Sequence, residues 1–508
     1  MATKIKTVKI HPAIGIARLG NSPTKFFIGP EKPRLHRRPN GGYRDAKGRI
    51  KRQAARFRLF GYDKKGKLVK EITSADAKIE WTVHLANTKA AWKRFVGLNP
   101  SSALRNASVT NRYSLVIDPG PRSLSGPNKV AIFDTGTFLG VIVPLGEIRT
   151  DKQARLLVLG GFGNSGSPNN APITHWANNE GWHDDVSDGP VNATVTFKGE
   201  TKSIQAVAAW LICGPPKFAP PIDNIITLYD TLLQVAVDKL GFTLPAKPSF
   251  AKDIYPILLR AINVKWVNQL KKMEEDNMPP PPPPNDKGHA DAVWGKIIPP
   301  PGSVAARKFI FDKLRDPALQ PNQSSGESDM PMIFSDTYDT TRKINQALTK
   351  TQYNIMKKWK DGNFVKDWSG PPKPSKHITP AGLDRAALES CVGAAFYPGI
   401  EASWMLRDTY TYLEPFRLDQ TKLEPGDVTK QMAVPWQTDF YDCRFYEDEP
   451  LAWWPAQRPD DVFPMGSALQ VEWTRDLVKN PTDMIKKWHR LGFVVKKGNK
   501  FVETERKP

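Results

Sequence analysis

Cysteine is scarce, 3 in 508 residues. An odd and small number cannot build a disulfide framework. No run of about 18 apolar residues occurs, which excludes a membrane-spanning helix. The opening Met1-Ala-Thr-Lys-Ile-Lys6 has no apolar stretch of the secretory kind. The expectation is a cytoplasmic chain, or one exported without an ordinary signal peptide. Acidic residues are in deficit, 52 against 73 lysines and arginines, for a net charge of +21. Zinc-finger spacing, RNP-type aromatic boxes and a helix-turn-helix are all missing, so nucleic acid is the lesser reading of that charge. Basic clusters are instead scattered (Arg34, Arg37 and Arg38; Arg49, Lys51 and Arg52; Lys64, Lys65 and Lys67; Lys496, Lys497 and Lys500) over segments expected to be surface hairpins and a tail. A solvated basic surface that attracts anions is the favoured meaning.

Proline is abundant, 46 residues, about twice the usual share. Short connected elements are expected rather than long regular ones. The 40% apolar and 25% charged residues fit a globular protein. The fold class read from the pattern is α+β, with a β-rich N-terminal half of antiparallel sheets and a mixed, more helical C-terminal half. Short β runs are Val8–Ile10, Phe26–Ile28, Arg56–Tyr62, Ile79–Ala86, Val130–Phe133, Thr137–Val143, Ala154–Gly160, Val191–Phe197 and Ile204–Ile212, divided by glycine and asparagine turns. Helical periodicity covers Ile225–Leu240 and Phe250–Val267, with Pro256 marking a kink or a first turn. Further helices are expected near 303–315, 343–361 and 380–391. Six consecutive prolines, Pro279–Pro284, favour a stiff, solvated polyproline spacer. The expected units are a β-rich domain at 1–215, a helical segment at 216–274, an exposed proline-rich loop at 275–302 and a mixed region at 303–508.

Several groups invite chemistry. Leu159-Gly-Gly-Phe-Gly-Asn-Ser-Gly-Ser167 lacks the lysine and the following helix of a phosphate cradle, and reads as a tight surface turn. Trp182-His-Asp-Asp-Val-Ser-Asp-Gly189 gathers carboxylates without EF-hand spacing, so aspartates capping backbone amides are preferred to a metal site. Cys213, after Ala209-Trp-Leu-Ile212, is expected to be buried and inert, and Cys443 to be structural or beside a pocket. Thr379 and Pro380 start a helix that brings Cys391 to its end. Asp384, Leu388, Cys391 and Ala395 share one face of that helix, and glycines and a proline then force a turn. Spacing alone favours a buried structural thiol. The pair Trp453-Trp454 before Pro455 reads, by itself, as aromatic core.

Taken together the segments say more. His11-Pro-Ala-Ile-Gly-Ile-Ala-Arg-Leu-Gly-Asn-Ser22, Gly181–Pro190, Thr227-Leu-Tyr-Asp230, Met330-Pro-Met332, Leu348–Gln352 with Gly362-Asn-Phe364, Cys391–Glu401, Val434-Pro-Trp-Gln437 and Trp453–Pro459 resemble, in order, the LodA-like family of cysteine tryptophylquinone oxidases. That family includes L-lysine ε-oxidase and glycine oxidase. The resemblance implies a cofactor made from the chain itself, with Cys391 cross-linked to an oxygenated Trp454 or Trp453. It implies oxidative deamination of a primary amine or amino acid, with O₂ reduced to hydrogen peroxide and ammonia released. It further implies a flavin-dependent maturation protein and a homo-oligomer. The family's maturation depends on an acid upstream of the cysteine, expected one helical turn before it. Here that place holds Ala387, and the acids at hand are Asp384, two turns back, and Glu389. The implied chemistry also needs a carboxylate near the quinone as the general base that removes the α-proton, and Asp384 and Glu389 are the candidates for that catalytic role. The alternative is therefore a member without cofactor, acting as a scaffold, a binding protein or a repurposed enzyme.

Overall fold

A computed structural model of the chain describes residues 5–97, 99–268, 302–319, 330–331, 346–394, 402, 404–444 and 456–507. Trp453, Trp454, Ala395 and the proline run lie outside the described residues.

The architecture is β-rich. Thirteen strands form one large sheet: β1 (Thr7–His11), β2 (Ile14–Arg18), β3 (Phe26–Ile28), β4 (Arg52–Tyr62), β5 (Leu68–Ile72), β6 (Ala77–Val83), β7 (Arg122–Ser125), β8 (Val130–Phe133), β9 (Gly146–Thr150), β10 (Leu156–Leu159), β11 (Ser187–Phe197), β12 (Ser203–Gln205) and β13 (Ala209–Gly214). The main path runs β8-β9-β10-β4-β2-β13-β11-β6-β7. Its two ends are chain neighbours, and the Arg122 side chain donates to the Ile132 carbonyl at 2.8 Å, so the sheet nearly closes on itself.

Alternation explains the outer strands. In β6, Ala77, Ile79, Trp81 and Val83 face the core while Lys78 and Glu80 face out. β2 and β13 do not alternate; every residue of both is buried. They lie side by side in parallel, with Trp210 opposite Ile14 and Gly214 opposite Arg18. Strands buried on both faces read as continuous apolar runs, as parallel ones do. The expectation of antiparallel sheets is thus corrected at β2–β13 and at β3–β4, which also pair in parallel. Alternation reveals which face is buried, not the direction of the neighbour.

Two expected strands are interrupted. Thr137–Val143 divides into Thr137–Phe138 and Val141–Ile142, a hairpin turning at Leu139 and Gly140, both at positive φ. Ile204–Ile212 divides into β12 and β13, which pair with different stretches of β11.

The main helices follow: α1 (Leu228–Lys239), α2 (Tyr255–Asn263), α3 (Val304–Phe311), α4 (Lys350–Lys360), α5 (Pro380–Glu389), α6 (Trp436–Asp442) and α7 (Pro481–Lys487). Thr227 with Asp230 and Thr349 with Gln352 form reciprocal caps that start α1 and α4. The cap at Thr349 is why α4 begins at Lys350 rather than near 343. Pro256 sits in the first turn of α2, after a π-turn at Phe250–Ile254. One apolar core runs from Val8 to Val502 and joins sheet to helices.

Candidate active site

The helix bearing the candidate thiol starts as its sequence dictates. Thr379 Oγ1 accepts the Gly382 amide at 3.1 Å, and Pro380 needs no partner for the amide it lacks. α5 ends at Glu389, with Ser390 as its cap, so Cys391 stands just past the last turn. Its backbone is tied to the start of α1: the Leu228 amide donates to the Cys391 carbonyl at 3.0 Å, and the Gly393 amide to the Ile226 carbonyl at 2.9 Å. Residue 393 must be glycine for this approach, since a Cβ there would lie 2.0 Å from the Thr227 carbonyl oxygen. Arg260 braces the far side of the joint, 2.7 Å from Asp230 Oδ2.

The Cys391 side chain is 2% exposed. Arg18, the last residue of β2, places Nη2 3.2 Å from Sγ. Its Nη1 donates to the Pro215 carbonyl, also at 3.2 Å. Gln457 Nε2 donates to that same Pro215 oxygen at 3.1 Å and to the Pro216 carbonyl at 2.9 Å. The Phe218 amide closes the joint by donating to the Gln457 carbonyl at 2.9 Å. Ala456 and Gln457 are fully buried. Sulfur, guanidinium, one carbonyl and one carboxamide therefore form a continuous series of contacts. From Gln457 back to Trp454 is three residues, a reach of at most about 10 Å.

Asp384 has other company. Both of its oxygens lie 3.0 Å from His11 Nδ1, and Oδ1 accepts the Ala13 amide at 2.6 Å. His11 Nε2 in turn lies 3.2 Å from the Tyr62 hydroxyl and 3.4 Å from Arg417 Nη2. Burial, with Asp384's charge added, pushes the Tyr62 hydroxyl up to about 12. Asp384 thus fastens α5 to the β1–β2 connection. It stands seven residues from Cys391, about 10 Å along a helical axis. Glu389 pairs with Arg385 at 2.6 Å, and that guanidinium lies over the Tyr229 ring. At position 387 the buried alanine presents its carbonyl, 3.9 Å from Cys391 Sγ and 2.7 Å from Ser390 Oγ.

The other cysteines are structural. Cys213 is fully buried in β13 against Gly160, and burial pushes its thiol up to about 12. Cys443 Sγ donates to Asp439 Oδ2 at 3.2 Å, and burial pushes that carboxyl up to about 8.

The glycine-rich segment is not a surface turn. Leu159, Gly160 and Gly161 are buried, and Asp185 Oδ2 accepts the Phe162 and Asn164 amides at 2.6 and 3.0 Å. The loop wraps a buried carboxylate, which is why it needs so many residues without side chains. The acidic stretch caps amides at long range: Asp188 takes the Val428 and Thr429 amides, the Thr429 hydroxyl and the Trp210 indole, and Asp184 pairs with Lys89. No group of three or more metal-ligating side chains occurs among the described residues.

Arg18 and Gln457 were not singled out by the sequence reading, although both lie in stretches that carried the resemblance. The signal for Arg18 was a lone cation inside an otherwise apolar run.

The family described as L-lysine ε-oxidase N-terminal matches residues 11–213, and the L-lysine ε-oxidase C-terminal domain family matches residues 329–463. The L-lysine 6-oxidase of Marinomonas mediterranea is 30% identical over 532 aligned positions, covering 86% of this chain and 71% of that protein. A crystal structure of the Schiff base intermediate of L-Lys ε-oxidase from Marinomonas mediterranea with L-Lys superposes with a TM-score of 0.77 at 26% identity, covering 98% of this chain and 95% of that one. A further structure of the same oxidase gives the same TM-score and coverage at 25% identity. Both halves of the family's pattern, the relative and the superposition agree: the chain belongs to the L-lysine ε-oxidase (LodA-like) family.

Proposed function

We propose that this chain is an amino-acid or amine oxidase whose electrophile is built from its own side chains, Cys391 joined to Trp454 or Trp453. The observation that carries the reading is the shared Pro215 carbonyl: Arg18, which holds the Cys391 sulfur, and Gln457, three residues past Trp454, both donate to it. The surroundings fit such a group, since the thiol is buried and the chain leaving the double-tryptophan stretch is fixed alongside it. Once formed, that group supplies an electrophilic carbonyl for a primary amine and a store for the electron pair that O₂ later removes. The balanced reaction takes amine, O₂ and water to aldehyde or oxo acid, ammonia and hydrogen peroxide.

The chain's own residues do the positioning. Arg18 orients the sulfur, Gln457 sets the return of the backbone, and the burial of Cys391 and Ala456 excludes water from their surroundings. Asp384 is assigned a positioning role, because its carboxylate is committed to His11 and Ala13. The substrate amine, a flavin-dependent maturation protein and a homo-oligomer are proposed with it. The lysine oxidase relative makes L-lysine the first amine to test.

Ala387 favours a second reading, a member that never forms the cofactor. Intact-mass measurement on the chain produced with its maturation protein separates the two. The oxidase reading expects two oxygens gained and hydrogens lost, together with peroxide from at least one compound in a panel of amines and amino acids. A chain at its unmodified mass sinks that reading.

A further inference from the structure

Next to the candidate active site the chain forms an open pocket of about 330 Å³, with Arg18, Lys217 and Ser390 in its wall. It is within the size range of small-molecule sites. Its wall is strongly one-sided in charge: Arg18, Lys32, Arg37, Lys51 and Lys217 contribute cations, and Glu31 is the acid among them. Glu31 is already engaged by Arg56 and Arg58, with Arg56 Nε and Arg58 Nε each at 2.9 Å.

Two of these cations are held by neutral oxygens. Lys32 Nζ donates to the Lys376 carbonyl at 3.0 Å, and Lys51 Nζ to the Asn40 and Gly42 carbonyls at 2.8 and 2.7 Å. Lys217 meets Asp223 at 3.2 Å, but that carboxylate is shared with His36 Nε2 at 2.8 Å. Carbonyls orient a cation without cancelling its charge. A concave site with low-dielectric walls then focuses the remaining positive potential on whatever enters. The other part of the wall is aromatic: Tyr43 stacks on Phe493 with ring centres 4.6 Å apart and meets Phe27 edge-on at 5.7 Å.

We propose that this cavity is a binding site for a small organic anion with a flat apolar body, an aryl carboxylate or an aryl phosphate. The anion neutralises the cationic side while its ring lies along the aromatic side. Two of the cations also reach the candidate thiol segment: Lys217 Nζ donates to the Ser390 carbonyl at 3.2 Å, and Arg18 touches Cys391 Sγ. An occupant therefore draws on the same two side chains that hold the Ser390–Cys391 turn.

The test is calorimetric titration of the full chain with benzoate and, separately, with phenyl phosphate, at low and high sodium chloride. Expected is saturable binding of at least one probe that weakens as salt rises. The double variant Lys32→Glu/Arg37→Glu should lose about tenfold or more in affinity, or about 1.4 kcal/mol. Benzoate alone assigns the site to carboxylates, phenyl phosphate alone to phosphates, and both together to the shared chemistry. Lys51→Met, which removes one charge and keeps the stem, gives a smaller loss and serves if the double variant does not fold. No saturable heat from either probe, or unchanged affinity in the folded variants, overturns the proposal. Binding is read without turnover, so a chain that makes no peroxide leaves this test intact.

Discussion

Lys89 and Arg18 are both buried cations, yet they face different company. Lys89 pairs with Asp184, with both side chains at 0% exposure, and also donates to the Ala433 carbonyl at 2.8 Å. Asp184 in turn accepts from Asn87 and from the Trp436 amide at 2.8 Å. Arg52, expected on the surface, is likewise fully buried against Glu147. Arg18, by contrast, is aimed at a sulfur and a carbonyl, beside a cavity lined by further cations. Where buried charge is matched by opposite charge, it locks segments together. Lys32 and Lys51, whose Nζ atoms meet backbone carbonyls, line that same cavity.

The largest expected effect separates these two cases. Asp184→Ala strands the Lys89 ammonium and should cost about 3–5 kcal/mol in guanidinium unfolding. A loss below about 1 kcal/mol would mean that the pair does not lock the segments it joins. Arg18→Met removes the hydrogen bonds to Cys391 Sγ and the Pro215 carbonyl, and the stability loss should be about 1.5–3 kcal/mol. Under the proposed function its larger mark is on chemistry, with peroxide production falling about 10- to 100-fold; wild-type rates in the variant would remove Arg18 from the site.

Asp185 sharpens the comparison through pH. Burial, which the loop amides only partly offset, pushes its carboxyl up to about 7. The folded chain then holds a proton that the unfolded chain has lost. This group's contribution is complete below the unfolded value near 4 and is lost as pH rises through about 7. Denaturation midpoints measured from pH 4 to 8 should therefore fall less steeply in Asp185→Asn than in the parent. Equal slopes would show that the carboxylate stays charged in its loop. The smallest effect is expected at Arg94–Glu180, 3.3 Å apart with side chains 43% and 45% exposed. Arg94→Ala should change stability by less than about 1 kcal/mol in the same assay.

Much of the frame was legible in the sequence because local rules governed it. The cap at Thr379, the strands Phe26–Ile28 and Val130–Phe133 and the first-turn proline of α2 all follow from a few neighbouring residues. What escaped was long-range. Nothing near Asp384 announces His11, 373 positions away. A glycine-rich loop looks exposed until Asp185 is seen to hold its amides. The thiol at 391 was legible only through the family resemblance, whereas its contact with Arg18 required the parallel pairing of β2 and β13, a direction that no alternation pattern encodes.

The oxygen of Pro215 is met by the side chains of Arg18 and Gln457, which stand 439 positions apart (457 − 18) in the chain. The shared contact beside the sulfur is therefore completed only once residue 457 is in place. A chain that stops before residue 457 lacks the Gln457 half of that clasp. Any helper that needs this clasp in place would consequently act only after residue 457 has been added.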